Sequence, residues 1–145
     1  MINKFDGEYA FLSNFYECDV TYNGLTYKNS EAAFHAQKTL NEDERKQFTT
    51  LSPSLSKKMG RKITLRNDWE SVKTKIMYEI CYAKFSQNED LKAKLLLTGD
   101  EYLEEGTYWH DNCWGNCYCE KCKDITGENR LGVILMEIRE ELRND

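Results

Sequence analysis

The chain has 145 residues, 31% of them charged, and a formal net charge of −5. That length fits one domain with a core large enough to stand without disulfides or metal, and the acidic balance argues against a tight, sequence-blind grip on a long phosphate backbone. No apolar run approaches the ~20 residues of a membrane span, and Met1–Asp6 carries no apolar export core, so a cytoplasmic protein with reduced thiols is expected.

In chain order, Phe5 to Tyr16 is aromatic-rich and turn-prone. Cys18–Tyr22, then Asn23-Gly24, then Leu25–Tyr27 predicts a hairpin, because Asn-Gly supplies the two positive-φ positions of a tight turn. Asn29 or Ser30 then caps a helix from about Glu31 to Leu40. A polar helix over Glu42–Phe48 follows, and Ser52-Pro53 reads as an N-cap with proline at the first helical position. Asn67-Asp68 opens the longest helix, with Trp69, Val72, Ile76, Ile80 and Ala83 as its buried stripe. Asn88 restarts a short helix that packs through Leu91, Leu95 and Leu96 and ends at Gly99. Tyr102–Cys122 reads as strand and loop. Gly127 and Asn129 precede a last helix whose apolar face is Leu131, Ile134, Leu135, Ile138 and Leu142. The sum is an α+β fold: a mostly helical single domain over 1–145 with a small antiparallel sheet and a Cys-rich loop at about 113–122.

Three constellations could carry chemistry. Glu31, His35 and Lys38 fall at i, i+4 and i+7, on one face of a helix. An acid, an imidazole and an amine so placed are either a salt-bridge ladder or a reactive set. Arg66, Trp69 and Lys73 set a planar ring beside two cations, which suits core packing or a stacked base with its phosphate. Leu103–Gly115 holds Glu104, Glu105, Tyr108, Trp109, His110, Asp111 and Trp114, and a loop so rich in aromatics must bury them or use them. Beyond it, Cys117, Cys119 and Cys122 offer three soft ligands, with Cys113 or His110 as a fourth. The alternatives are a structural zinc and free or partly buried thiols.

Taken in order, a further set of segments is specific. Phe11–Tyr16, Ser30-Glu31 with Ala36–Lys38, Arg66–Trp69 with Lys73 and Met77, and Lys84-Phe85 are followed by Leu96–Gly99. Leu103 with Glu105, Asp111 with Trp114-Gly115, and Gly127–Gly132 with Leu135-Met136 and Arg139 complete it. This pattern resembles the NADAR family, named for NAD and ADP-ribose, which includes the YbiA-like N-glycosidases.

The resemblance implies hydrolysis of the N-glycosidic bond between ribose and a base. The substrate would be ADP-ribosylated guanine, alone or in nucleic acid, or a phosphoribosylamino-pyrimidine intermediate of riboflavin biosynthesis. It assigns Glu31, Lys38 and Asp111 to catalysis, and Asn14, Arg66, Trp69, Lys73, Glu105 and Trp114 to substrate binding. No cofactor is needed for that chemistry, and a zinc on Cys117, Cys119 and Cys122 would be structural. His35 departs from the glutamine expected there. The alternatives are a non-catalytic reader of ADP-ribose or a related nucleotide, and a zinc-stabilised interaction protein.

Overall fold

A computed structural model describes Met1–Asp145, about half of it helical. The chain divides into two compact units, Asn14–Lys92 and Met1–Ser13 with Ala93–Asp145. No helix is long and apolar enough to cross a membrane.

The Asn14–Lys92 unit begins with a hairpin. Strands β1 (Glu17–Tyr22) and β2 (Leu25–Asn29) pair antiparallel, with an irregularity between Glu17 and Val20. Asn23 and Gly24 both take positive φ, at 50° and 84°, as the predicted turn requires. The Asn29 side chain ends the strand and caps α1 (Ser30–Ala36), accepting from the Ala32 amide at 2.7 Å.

Helix α1 stops four residues before the predicted end. The Gln37 side chain folds back, its Nε2 donating to the Ala33 carbonyl at 3.0 Å and to the Tyr27 hydroxyl at 3.4 Å. The Lys38 amide bonds to the His35 carbonyl rather than continuing the α ladder. Lys38 therefore leaves the helix, and the i+7 relation to Glu31 does not apply.

Helix α2 (Glu42–Lys46) runs into a 3-10 turn, and α3 (Pro53–Met59) starts on the Ser52 cap, whose Oγ accepts from Leu55 at 3.2 Å. Helix α4 (Trp69–Gln87) is the longest. Asp68 precedes it, but its carboxylate turns to Arg66 instead of capping, and only its carbonyl receives Ser71 and Val72. Helix α1 packs against α3 and α4, and α4 packs against β1. Val20, Tyr27, Ala32, Ala33, Ile80 and Phe85 are fully buried here. Val72 is only half-buried, and Met77 and Cys81 join the buried stripe instead. The unit boundary falls within α5 (Glu89–Leu97).

In the second unit, Ile2 bridges Leu103 and Gly7–Leu12 forms a 3-10 turn. Two-residue strands β3 (Gly106–Thr107) and β4 (Asn116–Cys117) pair in parallel, a ladder too short to leave a periodic signature. Helix α6 (Arg130–Arg143) buries the predicted face, Leu131, Ile134, Leu135, Ile138 and Leu142. Asn129, at φ 51°, precedes it and clamps the chain from three sides. Its Oδ1 accepts from the Glu105 amide at 3.0 Å, and its Nδ2 donates to the Leu103 carbonyl at 2.9 Å and to the Tyr102 hydroxyl.

Candidate functional site

The Asn14–Lys92 unit gathers Asn14, Glu31, Lys38, Arg66, Trp69 and Lys73. Glu31 lies in the first turn of α1 and is 9% exposed. Its amide donates to the Asn14 carbonyl at 3.1 Å, so the backbone of Asn14 fixes where the carboxylate emerges. The Asn14 side chain is itself buried, its Nδ2 on the Met77 sulfur at 3.4 Å. One turn on, His35 Nε2 stands 3.6 Å from Glu31 Oε2. The other ring nitrogen, Nδ1, is buried without a hydrogen-bond partner. Gly60 leaves room for that ring: a Cβ there would sit 2.7 Å from Nδ1.

Lys38 is half-buried, with Nζ 5.9 Å from the centroid of the Trp69 ring. Burial pushes its pKa below the ordinary lysine value. The Glu31 carboxylate opposes that shift, while Arg61, Lys73 and Lys57 reinforce it. The fall in pKa raises the fraction of neutral amine near neutrality, as an amine nucleophile requires.

Trp69 is 6% exposed and packs on Phe34, with ring centroids 5.0 Å apart, so core packing supplies most of its contacts. Arg66 is held on both sides. Its guanidinium meets the Asp68 carboxylate at 2.6 and 3.1 Å, and its amide donates to the Lys38 carbonyl at 2.7 Å. That last bond ties the segment after α1 to the start of α4. Lys73 pairs with Glu70 at 2.7 Å.

The other unit holds Glu105, Asp111, Trp114 and the cysteines. Asp111 Oδ1 accepts from the Cys113 and Trp114 amides at 3.0 and 2.9 Å, so this carboxylate shapes its own loop. The Glu105 carbonyl accepts from Asn116 at 2.9 Å. Trp114 is half-buried, whereas Tyr108 and Trp109 are 59% and 58% exposed. Cys117, Cys119 and Cys122 converge, and His110 completes the group, with one donor atom from each within 4.8 Å of the others.

Sequence reasoning missed two supports: Gly60 beneath His35, and Asn129 behind Glu105. The Gly-Glu-Asn run before α6 gave a signal for the second, since asparagine tolerates left-handed backbone. The first has no local signal.

A family model described as NADAR domain matches residues 2–143. N-glycosidase YbiA of Escherichia coli (strain K12) is 38% identical over 142 residues, covering 93% of this chain and 82% of that protein. Riboflavin biosynthesis protein VVA0006 of Vibrio vulnificus is 36% identical over 143 residues, covering 95% of this chain and 37% of that longer protein. The NMR structure of Escherichia coli YbiA matches with a TM-score of 0.81 at 37% identity, over 99% of this chain and 88% of that one.

Proposed function

This chain belongs to the NADAR family and is a hydrolase of N-glycosyl bonds, and from that premise we propose that its substrate is a phosphorylated riboside whose C1′–N bond it cleaves through Glu31 and Lys38. The two substrates of this class are a phosphoribosylamino-pyrimidine of the riboflavin pathway and ADP-ribosylated guanine. A relative named for riboflavin biosynthesis supports the first, and the small nucleotide-like ligand is common to both. The observation that carries the reading is the Lys38 amine, half-buried over Trp69, with its pKa depressed beside the buried Glu31.

Cleavage of a C1′–N bond develops positive charge on the ribose ring. A carboxylate aimed at that ring stabilises the charge, and Glu31 is the candidate because Asp111 spends one oxygen on two backbone amides. The neutral Nζ of Lys38 adds to C1′ as the base departs with its bonding electron pair and takes up a proton. The ring then opens, O4′ gains a proton, and an imine joins Nζ to C1′. Water adds to the imine, freeing the amine and leaving the open-chain aldehyde, so one water is consumed overall. The cations around Lys38, namely Arg61, Lys73 and Lys57, lower its pKa and give a field that suits a phosphorylated ligand.

The test is base release from each substrate, with wild type, Glu31→Gln and Lys38→Arg. Glu31→Gln is expected to lose about 10²–10³ in kcat, the loss typical of removing one such electrostatic group. Lys38→Arg keeps the charge and removes the nucleophile. Borohydride reduction during turnover should attach the ribose moiety to the wild-type chain and not to the arginine variant. Full turnover by Lys38→Arg would eliminate the covalent route.

A further inference from the structure

We propose that His110, Cys117, Cys119 and Cys122 form a closed, tetrahedral zinc site that fastens the loop bearing Asp111 and Trp114. Three sulfurs and one imidazole nitrogen are the donor set of a structural Cys₃His centre. Zinc bonds of ~2.3 Å to sulfur and ~2.05 Å to nitrogen place neighbouring S and N atoms about 3.5 Å apart in a tetrahedron. His110 Nδ1 lies 3.4 Å from Cys122 Sγ and 3.2 Å from Cys119 Sγ, and all four donor atoms fall within 4.8 Å of one another. The donors therefore already stand near the edges of a coordination tetrahedron.

Two further observations fit a metal better than free thiols. His110 holds φ at 67°, in the left-handed region that few non-glycine residues occupy and that histidine, like asparagine and aspartate, enters more often than most. That turn aims Nδ1 at the sulfurs. The Cys117 sulfur also accepts two backbone amides, from His110 at 3.3 Å and Cys119 at 3.5 Å. Such N–H···S bonds orient a thiolate ligand and offset its charge.

The metal would do no chemistry, since four protein ligands leave no open position. Its effect is topological. His110 directly precedes Asp111, and Cys117 closes β4, so the ion ties the two ends of the segment that holds Asp111 and Trp114. Cys119 and Cys122 come from the following turn and complete the clasp.

The experiment is metal analysis of the full chain, purified without chelator and without a histidine tag, for wild type, Cys119→Ser, His110→Ala, Cys113→Ser and Cys18→Ser. Wild type, Cys113→Ser and Cys18→Ser should each carry one zinc per chain. Cys119→Ser and His110→Ala should weaken zinc, measured by competition with a chromophoric chelator, beyond the ~10–100-fold that outer-shell changes cost.

Wild type stripped of metal and given Co²⁺ should show thiolate-to-cobalt charge transfer and the intense d–d bands of a tetrahedral ion. The His110→Ala derivative should show shifted bands. This readout depends on neither turnover nor the substrate. Wild type with no more zinc than Cys119→Ser, or without tetrahedral cobalt bands, would overturn the site. Loss of zinc in Cys113→Ser with an unaltered His110→Ala spectrum would overturn the ligand set. The wild-type measurements decide the matter even where a variant fails to fold.

Discussion

Gly132 lies in the first turn of α6, where helix propensity and close packing make opposite demands. Replacing it with alanine should stabilise the helix by about 1 kcal/mol on propensity alone. The packing opposes this. A Cβ at Gly132 would stand 2.1 Å from the Leu103 carbonyl oxygen and 2.4 Å from Asn129 Nδ2. Cβ atoms essentially never come within 3.0 Å of such neighbours, so the carbonyl must retreat by about 0.9 Å. Leu103 O and Asn129 Nδ2 now share a 2.9 Å hydrogen bond, and Asn129 Oδ1 holds the Glu105 amide at 3.0 Å. Overpacking of this kind costs about 1–3 kcal/mol. Each buried group left without a partner adds about 1–3 kcal/mol. One displacement produces both losses, so they overlap. Set against the helix gain, the net is about 2–4 kcal/mol of destabilisation. Urea unfolding followed by circular dichroism measures it. At the usual slopes of ~1–3 kcal/mol/M, the midpoint should fall by roughly 0.7–4 M. A Gly132→Ala protein as stable as wild type, or more so, would refute the argument and show that the Asn129 clamp yields without loss.

Other expectations concern the first unit. Because burial lowers the Lys38 pKa, turnover through a neutral amine should rise with pH through a value below the ordinary lysine range; a pH–kcat profile whose rising limb stays in place in Arg61→Gln would count against that assignment. Trp69→Phe keeps an aromatic ring on Phe34 but shrinks the surface beneath Lys38. It should raise KM more than it lowers stability, as steady-state kinetics and thermal melts together would show. Lys84 is buried at 1% exposure, with Nζ 5.0 Å from the Phe85 ring and 5.7 Å from the Tyr16 ring, and burial lowers its pKa. The unfolded chain then binds more protons between the two pKa values, so wild-type stability should climb as pH rises toward the ordinary lysine pKa. The slope is at most about 1.4 kcal/mol per pH unit. Lys84→Met should lack this climb, and equal slopes for the two proteins would contradict it.

Local chemistry made much of this fold readable. Asn23-Gly24 announced its hairpin because few residue pairs take two positive φ values. Asn29, Ser52 and the face of α6 spoke through capping and periodicity. The end of α1 did not. Ala36-Gln37-Lys38 has good helix propensity, and the competitor is the Tyr27 hydroxyl ten residues back. Asp68 misled for a similar reason: it resembles a cap, but Arg66 two residues earlier takes its carboxylate. At the candidate site, the residue types were legible and their supports were not. The Asn14 carbonyl that fixes Glu31 is a backbone atom, and no side-chain pattern reports it. The three cysteines stood out by spacing, whereas the choice of His110 over Cys113 rests on a left-handed turn.

The start of α6 also bears on how this protein can be altered. The amides of Glu128, Asn129, Arg130 and Leu131 donate to the carbonyls of Asn112, Gly115, Cys113 and Trp114, and Gly127 donates to Asn116 Oδ1. Between Cys122 and Gly127, the exposed residues Lys123–Thr126 thus rejoin the fold at a base laced shut by main-chain bonds. Closing a loop on a fixed base costs only ~0.6 kcal/mol for each doubling of its length. That makes the stretch a natural splice point. A peptide tag or reporter inserted there would ride on the surface while Asp111 and Trp114 keep their places, and chains of different length could diverge at this position without redesigning what lies beneath.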